Sequence, residues 1–436
     1  MIRPLCKQVM VLLLLTAVLP VYAETTAIVG GKVHTVGPQG VLENATIIIR
    51  DGLIDAVGTD IAVPAGATRI DAAGKIVTPG LFTPMGNIGL IEVGFSAGPL
   101  DYVQRGDQFT ASFEVADAFN PRSTLISVNR IEGVTRALVS PAAASMDETG
   151  FTSHVISGMA AVANLSGKED SIDRRDAALI VNLGEGGVEY AGSSRASALL
   201  ILRNALDEAK DFALHREEFE RGEHRDYNFS FSDLTALQRV LSGDIPLLAN
   251  VDRASDILGL IRLGDEYGLR LIVNSGVEAW LVADELAAAN VPVIVAPEAN
   301  LPSNFDRVNA RSDLAAILSK AGVKVAFADG SGMTENARNI TQSAGNATVG
   351  GMSWDAALRA ITLDPAEIYG VADRVGSIEP GKEADVVIWP GDPFELSNYP
   401  DQVFIRGEAI EMKSRQTLLR DRYMQTGSHE RPAYRH

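Results

Sequence analysis

"IPLLANVDRASDILGLIRLGDEYGLRLIVNSG", residues 245–276, sets two short apolar runs on either side of one amphipathic stretch. "LLANV" and "LRLIVNSG" have the length and the Leu, Ile and Val content of buried strands, whereas "RASDILGLIRLGDEYG" has the apolar spacing of a helix that covers a sheet. A strand, a helix and a second strand in this order make the repeating unit of a parallel sheet. The pattern continues outward in both directions. "RALVSPAA" (136–143) and "AALIVNLG" (177–184) precede it, and "VPVIVAPE" (291–298) and "VKVAFADG" (323–330) follow. The amphipathic "EAWLVADELAAAN" (278–290) and "RSDLAAILSKAG" (311–322) lie between the later runs. Enough such units close on themselves, so the order predicts an α/β fold whose parallel sheet closes into a barrel of the TIM type.

A different texture brackets the barrel. "TTAIVGGKVHTV" (25–36), "ATIIIRDGLIDAVG" (45–58) and "TRIDAAGKIVTPGL" (68–81) are short apolar or alternating runs punctuated by glycine, which read as strands of a small β domain. The same texture returns in "GKEADVVIWPGDP" (381–393) and "PDQVFIRGEAIEM" (400–412). These last runs are too short to stand alone. They are expected to pair with the N-terminal strands in one β-sandwich, with the barrel inserted between its halves. The expected division is the N-terminal half of the sandwich at 24–80, the barrel at 81–369, the C-terminal half of the sandwich at 370–415 and a polar tail at 416–436. The densest charge run, 207–228, reads as a solvated helix, with a mobile lid as the alternative.

Residues 1–23 read as a secretory signal. Arg3 and Lys7 form a positive start, residues 9–20 an apolar run, and Val21-Tyr22-Ala23 a small-residue cleavage site, so the mature chain is expected to begin near Glu24 and to be periplasmic or secreted. The apolar run is shorter than the roughly 20 residues of a spanning helix, and no later stretch is long enough either, so the mature form is expected not to span a membrane. Cys6, the only cysteine, falls in the removed segment. Without residues 1–23 the chain carries 36 basic and 56 acidic residues, a formal charge of −20. A polyanion is repelled by such a surface, which excludes nucleic acid and leaves a small-molecule ligand or substrate as the expected partner. With 436 residues, 46% of them hydrophobic, the chain can bury a large core beside a smaller one.

Three stretches, in order, resemble the amidohydrolase superfamily, and within it the imidazolonepropionase-like and dipeptidase-like branch. They are "DAAGKIVTPGL" (71–81), "LTALQRVLSGDIPLLANVDRASDILGLIRLGDEYGLRLIV" (234–273) and "GVADRVGSIEPGKEADVVIWPGDP" (370–393). The resemblance implies a (β/α)8 barrel with a flanking β-sandwich, and metal-assisted hydrolysis of amide or other C–N bonds. That chemistry needs a divalent ion to polarise a carbonyl and acidify water, hence several imidazole or carboxylate ligands at the C-terminal mouth of the barrel.

The ligand positions that the resemblance implies are filled by other residue types. A His-x-His pair would face one side of the first strand. Its positions fall at Met85 and Asn87, with Thr83 ahead of them in place of an aspartate. The next strand-end histidine position falls at Asn250, and the one after it at Asn274 or Ser275; no counterpart of a bridging lysine or carboxylate is evident. Asp329 alone stands where the family has a ligand that doubles as general base. Asparagine and serine are weak zinc ligands and a thioether suits softer ions, so the reading leaves a weakly bound divalent metal or none.

The six histidines do not repair the set, because His34 falls in the first β segment, His215 and His224 in the charge run, and His429 and His436 in the tail. His154 is the one in the barrel span outside that run. No G-x-S-x-G elbow, G-x-x-x-x-G-K-[ST] loop or cysteine nucleophile replaces the site. Of the carboxylates that could work at the mouth, Glu278 and Glu298 read rather as ordinary hydrogen-bonding groups at strand and helix ends, which leaves Asp329 as the candidate general base, with Asn250, Asn274 and Ser275 as substrate contacts. Two functions stay open: an exported hydrolase with a degenerate metal site, and a non-catalytic barrel that binds a small molecule or a protein.

Overall fold

The computed structural model describes residues 25–92, 100–106, 108–143, 154–299 and 301–424, so the expected signal segment and cleavage site lie outside the described residues. The chain opens with five strands: β1 (Thr25–His34), β2 (Val41–Arg50), β3 (Leu53–Gly58), β4 (Thr68–Asp71) and β5 (Ile76–Pro79). Asp51 and Gly52, both at positive φ, join β2 to β3 in the two-residue hairpin turn that Asp-Gly favours. One residue, Gly80, separates β5 from the first barrel strand.

The barrel contains β6 (Leu81–Thr83), β7 (Val134–Val139), β8 (Ile156–Asn164), β9 (Ile172–Asn182), β10 (Leu247–Val251), β11 (Leu271–Ser275), β12 (Val293–Val295) and β13 (Val325–Phe327), hydrogen-bonded in that order. Because side chains alternate across a strand, Ile180, Leu248, Ile272 and Ile294 fill the interior while Leu179, Leu247, Val273 and Val293 pack outward beneath the helices. Between β13 and β6 the wall is finished by the stretch that follows the helix Trp354–Ala360, where Ile361 accepts a hydrogen bond from the Phe82 N–H and Tyr369, after the short helix Leu363–Ile368, donates to the Pro84 carbonyl. The TIM-type architecture is as expected, with one departure from strict strand–helix alternation. β8 runs antiparallel to both neighbours, since residues 165–171 are too few for a crossover helix.

After the barrel, β14 (Val386–Trp389), β15 (Gln402–Ile405) and β16 (Glu408–Ala409) join the N-terminal strands through an antiparallel pairing of β14 with β5. The result is one eight-stranded sheet in the order β16-β15-β14-β5-β1-β2-β3, with β4 also on β1, rather than two separate sheets. The sheet folds over on itself: Ile54 N–H donates to the Lys382 carbonyl, and Gly407 in the second hairpin packs so tightly that a Cβ there would lie 2.7 Å from the Cα of Gly52. One face buries Ile28, Ile47, Ile49 and Phe404; the other sends Val387, Trp389 and Ile405 into the barrel's main core. Residues 415–424, at the start of the polar tail, form a helix. Among the described residues no helix is long and apolar enough to cross a membrane.

At the N-terminal end of the barrel, sheet and barrel are joined by charge. Arg136 on β7 is 1% exposed, and its guanidinium meets Asp173 at 2.8 Å, Glu383 at 2.5 Å and Asp385 at 2.9 Å. Arg374 and Arg406 add further positive charge around Glu383.

Candidate functional site

The interior-facing positions that stack Ile180, Leu248 and Ile272 in one layer place Asn182, Asn250 and Asn274 in the next, two residues closer to the C-terminal mouth. Strand register sets these three amides side by side, Asn182 opposite Asn250 and Asn250 opposite Asn274. They form a ladder: Asn274 Nδ2 donates to Asn250 Oδ1 at 2.7 Å, Asn250 Nδ2 to Asn182 Oδ1 at 2.8 Å, and Asn182 Nδ2 to Ser157 Oγ on β8 at 2.7 Å. Each amide donates to the next, so one continuous row of hydrogen bonds crosses four strands.

Above the ladder lies a pocket of about 290 Å³ lined by Met85, Asn87, Asn274, Ser275, Arg307 and Asp329 among others, with Ile294, Val295 and Met333 as its apolar wall. A larger cavity of about 480 Å³ sits at the opposite end, against Pro246, Arg270, Pro292 and Lys324, which precede their strands. Ligand chemistry in this architecture is built at the C-terminal ends of the strands, which favours the smaller pocket.

Among the described residues that line the pocket, Asp329, which follows β13, is the one carboxylate and Arg307 the one cation, and none carries an imidazole or a thiol. Burial raises the Asp329 pKa above its ordinary value; hydrogen bonds from Ser331 oppose the shift, and the charges of Glu298 and Glu335 add to it. The Ser331 N–H donates to Asp329 Oδ2 at 3.1 Å, and the Ser331 hydroxyl donates to the same oxygen. Arg307 donates to Asp252 at 2.7 Å and to Ser275 Oγ at 3.0 Å. Ser275 adopts φ +76°, in the left-handed region that a serine rarely occupies, and this turn carries its hydroxyl to Arg307. The preceding residue, Asp306, is 2% exposed and bonded to Arg195 at 2.5 Å, which anchors the short turn that carries Arg307.

The pocket brings together Met85, Asn87, Asn274, Ser275 and Asp329, residues far apart in sequence. Asn250 lies behind Asn274 and touches the pocket through it. Asn87 is committed to the Ser140 carbonyl at 2.8 Å, and Thr83 is buried with its hydroxyl toward the Met85 carbonyl. Glu278 is buried away from the pocket, accepting from the Ala254 N–H and from Asn309; Glu298 accepts from the Gly330 N–H. The His154 ring accepts from the Ile156 N–H and packs edge-on against Phe229, outside the lining. Sequence reading missed Asn182 and Arg307. A signal for Asn182 was present, because "AALIVN" ends in asparagine just as "LLAN" and "LRLIVN" do; Arg307 stands in a loop with no pattern around it.

Residues 268–410 match the sequence pattern of the amidohydrolase family. Over 388 residues the chain is 22% identical to the amidohydrolase tasK of Hapsidospora irregularis, a match covering 83% of this chain but only 39% of that protein. A shorter match, 50% identical over 44 residues, covers 10% of this chain and 11% of the imidazolonepropionase of Mycolicibacterium smegmatis. The chain thus spans well under half the length of these curated relatives. The crystal structure of an amidohydrolase from Thermotoga maritima superposes with a TM-score of 0.78 at 26% identity, over 89% of this chain and all of that one.

Proposed function

The chain belongs to the amidohydrolase superfamily, and from that premise we propose that it is an exported protein whose barrel mouth binds a small molecule with an amide or other C–N bond and holds no tightly bound catalytic metal. The observation that carries this reading is the amide ladder. Zinc of the family's kind needs three or four imidazole, carboxylate or thiolate ligands. The described lining offers one carboxylate, Asp329, beside the neutral amides of Asn87 and Asn274, whose Nδ2 groups already donate to the Ser140 carbonyl and to Asn250 Oδ1. A neutral amide oxygen is a weak zinc ligand, and Asn87 points its amide at a backbone carbonyl. These residues do not fit the metal group that the family implies. They do suit a neutral polar ligand: a pocket near the lower end of the usual size for small molecules, with apolar walls, amide edges and one Arg–Ser pair.

A second reading has its own support. Asp329 lines the pocket with its carboxyl held above the ordinary range by burial, which is how a general base for water is poised. In that case Asp329 takes a proton from water as the water attacks the bound carbonyl, and Asp329→Asn lowers turnover by about 10²–10⁴.

One preparation tests the proposal. The exported, purified protein is titrated calorimetrically with a panel of dipeptides, cyclic amides and lactams, and the same compounds are assayed for hydrolysis with and without Zn²⁺ or Mn²⁺. Saturable binding without turnover is expected, with an N-terminus at or near Glu24. Turnover that disappears in Asp329→Asn would replace the binding reading by the hydrolytic one, and an intact Met1 would remove export.

A further inference from the structure

The helix Arg195–Glu220 begins at the barrel mouth, where Arg195 meets Asp306, and carries the charge run away from it. Asp211 lies 16 residues further on, about 24 Å along the axis. At His215 the backbone leaves helical geometry (φ −120°, ψ 23°), and beyond Gly222, at φ +70°, the chain turns back so that His224 meets the same face. Asp211 and His215 are neighbours by helical spacing; His224 is brought to them by the return.

We propose that Asp211, His215 and His224 form a binding site for a zinc-like divalent cation, separate from the barrel mouth. His215 Nδ1 lies 3.2 Å from Asp211 Oδ1, and His224 Nε2 lies 3.4 Å from Asp211 Oδ2. Ligand atoms about 2.0–2.1 Å from a tetrahedral zinc are about 3.3 Å from each other, so whichever Asp211 oxygen binds already stands at the length of a coordination edge from one imidazole nitrogen. One ligand atom from each of the three residues falls within 4.8 Å of the others, and this is the one such group of His, Cys, Asp or Glu among the described residues.

The surroundings prepare the ligands. His224 Nδ1 is 3.2 Å from the Arg225 carbonyl, and donation there leaves Nε2 with its lone pair toward the site, the usual arrangement of a metal-ligating imidazole. Tyr227 donates to Asp211 Oδ2 at 3.0 Å and fixes the carboxylate. The rings of His215, His224 and Tyr227 stack in sequence, with centroids 5.0 and 5.1 Å apart. Without the ion, His215 Nδ1 also lies 3.0 Å from the Asp211 carbonyl, a bond that the ion replaces. All three ligands are half-buried, open to an arriving ion yet partly dry. Arg225, 3.6 Å from Asp211 Oδ2, is the opposing charge; at 57% side-chain exposure it can turn toward water. Three protein ligands leave a fourth position for water. The bound ion ties the return at 221–230 to the helix.

The test uses untagged, chelator-treated mature protein and ZnCl₂ alone. Calorimetry is expected to give one zinc per chain and a rise in the thermal midpoint, and Asp329→Asn is expected to keep both. His224→Gln and His215→Gln, at partly exposed positions, should each weaken binding by at least about tenfold while the midpoint in chelator stays unchanged. Absence of stoichiometric zinc, or zinc binding that survives both substitutions together, would overturn the site. Binding lost in Asp329→Asn but kept in the histidine variants would place the ion at the barrel mouth, overturning this inference and the metal-free reading of the mouth alike.

Discussion

The two ends of the barrel handle buried polarity in opposite ways. At the N-terminal end one guanidinium, that of Arg136, is enclosed by three carboxylates from the barrel and the sheet. At the C-terminal end three amides on adjacent strands satisfy one another and carry no net charge. The first cluster is closed and ties barrel to sheet; burial pushes the Asp385 carboxyl up, against the opposing pull of Arg136 beside it. The second is an open row along a pocket wall. Formal charge is massed at the end that ties barrel to sheet, whereas at the mouth the row of neutral donors and acceptors ends beside one carboxylate, Asp329, and one cation, Arg307.

The hub should give the largest effect when broken. Arg136→Met leaves Asp173, Glu383 and Asp385 facing each other without their shared cation, and removing one partner of a buried ion cluster costs about 3–5 kcal/mol. Urea unfolding of the variant should show this loss as a lower midpoint, or as insoluble protein. A midpoint within error of the wild type would mean that the hub contributes little and that apolar packing alone joins sheet to barrel.

The ladder should respond less. Asn250→Ala strips the donor from Asn182 Oδ1 and the acceptor from Asn274 Nδ2, and unsatisfied buried polar groups cost about 1–3 kcal/mol. The pocket end of the row is wet enough for water to recover some of that cost, so the lower half of the range is expected from the same urea experiment. A loss as large as that of Arg136→Met would erase the contrast between the two ends.

The fold is legible because its signals are local. Runs such as "VIVAP" and the amphipathic 253–268 stretch declare strand and helix within a few residues, and the order of units then implies the barrel. β8 does not read as a strand, because "ISGMAAVAN" is Gly- and Ala-rich and buried at every position, with no alternation to mark it. The pocket is legible to a degree, since Met85, Asn87, Asn274, Ser275 and Asp329 each stand out by position and do converge. Their bonding is not. The ladder joins residues 68 and 24 apart, and the hub joins Arg136 to Glu383 across 247 residues, so only strand register and domain pairing reveal them. "RALVSPAA" displays Arg136 at the head of a strand without any hint of its partners.

Asp329 should give the smallest change, and its informative feature is a slope. Its folded pKa is raised, chiefly by burial, so the folded chain binds this proton more tightly than the unfolded chain does. Stability linked to this group is therefore greatest when the carboxyl is protonated. It declines as pH rises from the ordinary aspartate range through the folded value, and the penalty is fully present above that. Asp329→Asn cannot ionise and keeps an oxygen for the Ser331 donors, so it should lack that decline. The group is only half-buried, which limits the difference to about 0.5 kcal/mol. Unfolding midpoints of both proteins, measured in parallel from about pH 3.5 to 7, should draw apart in favour of the variant as pH rises. Parallel curves would mean that Asp329 titrates like any solvated carboxylate. The mouth would then hold no group tuned for proton transfer, and the hydrolytic reading would lose the observation that supports it.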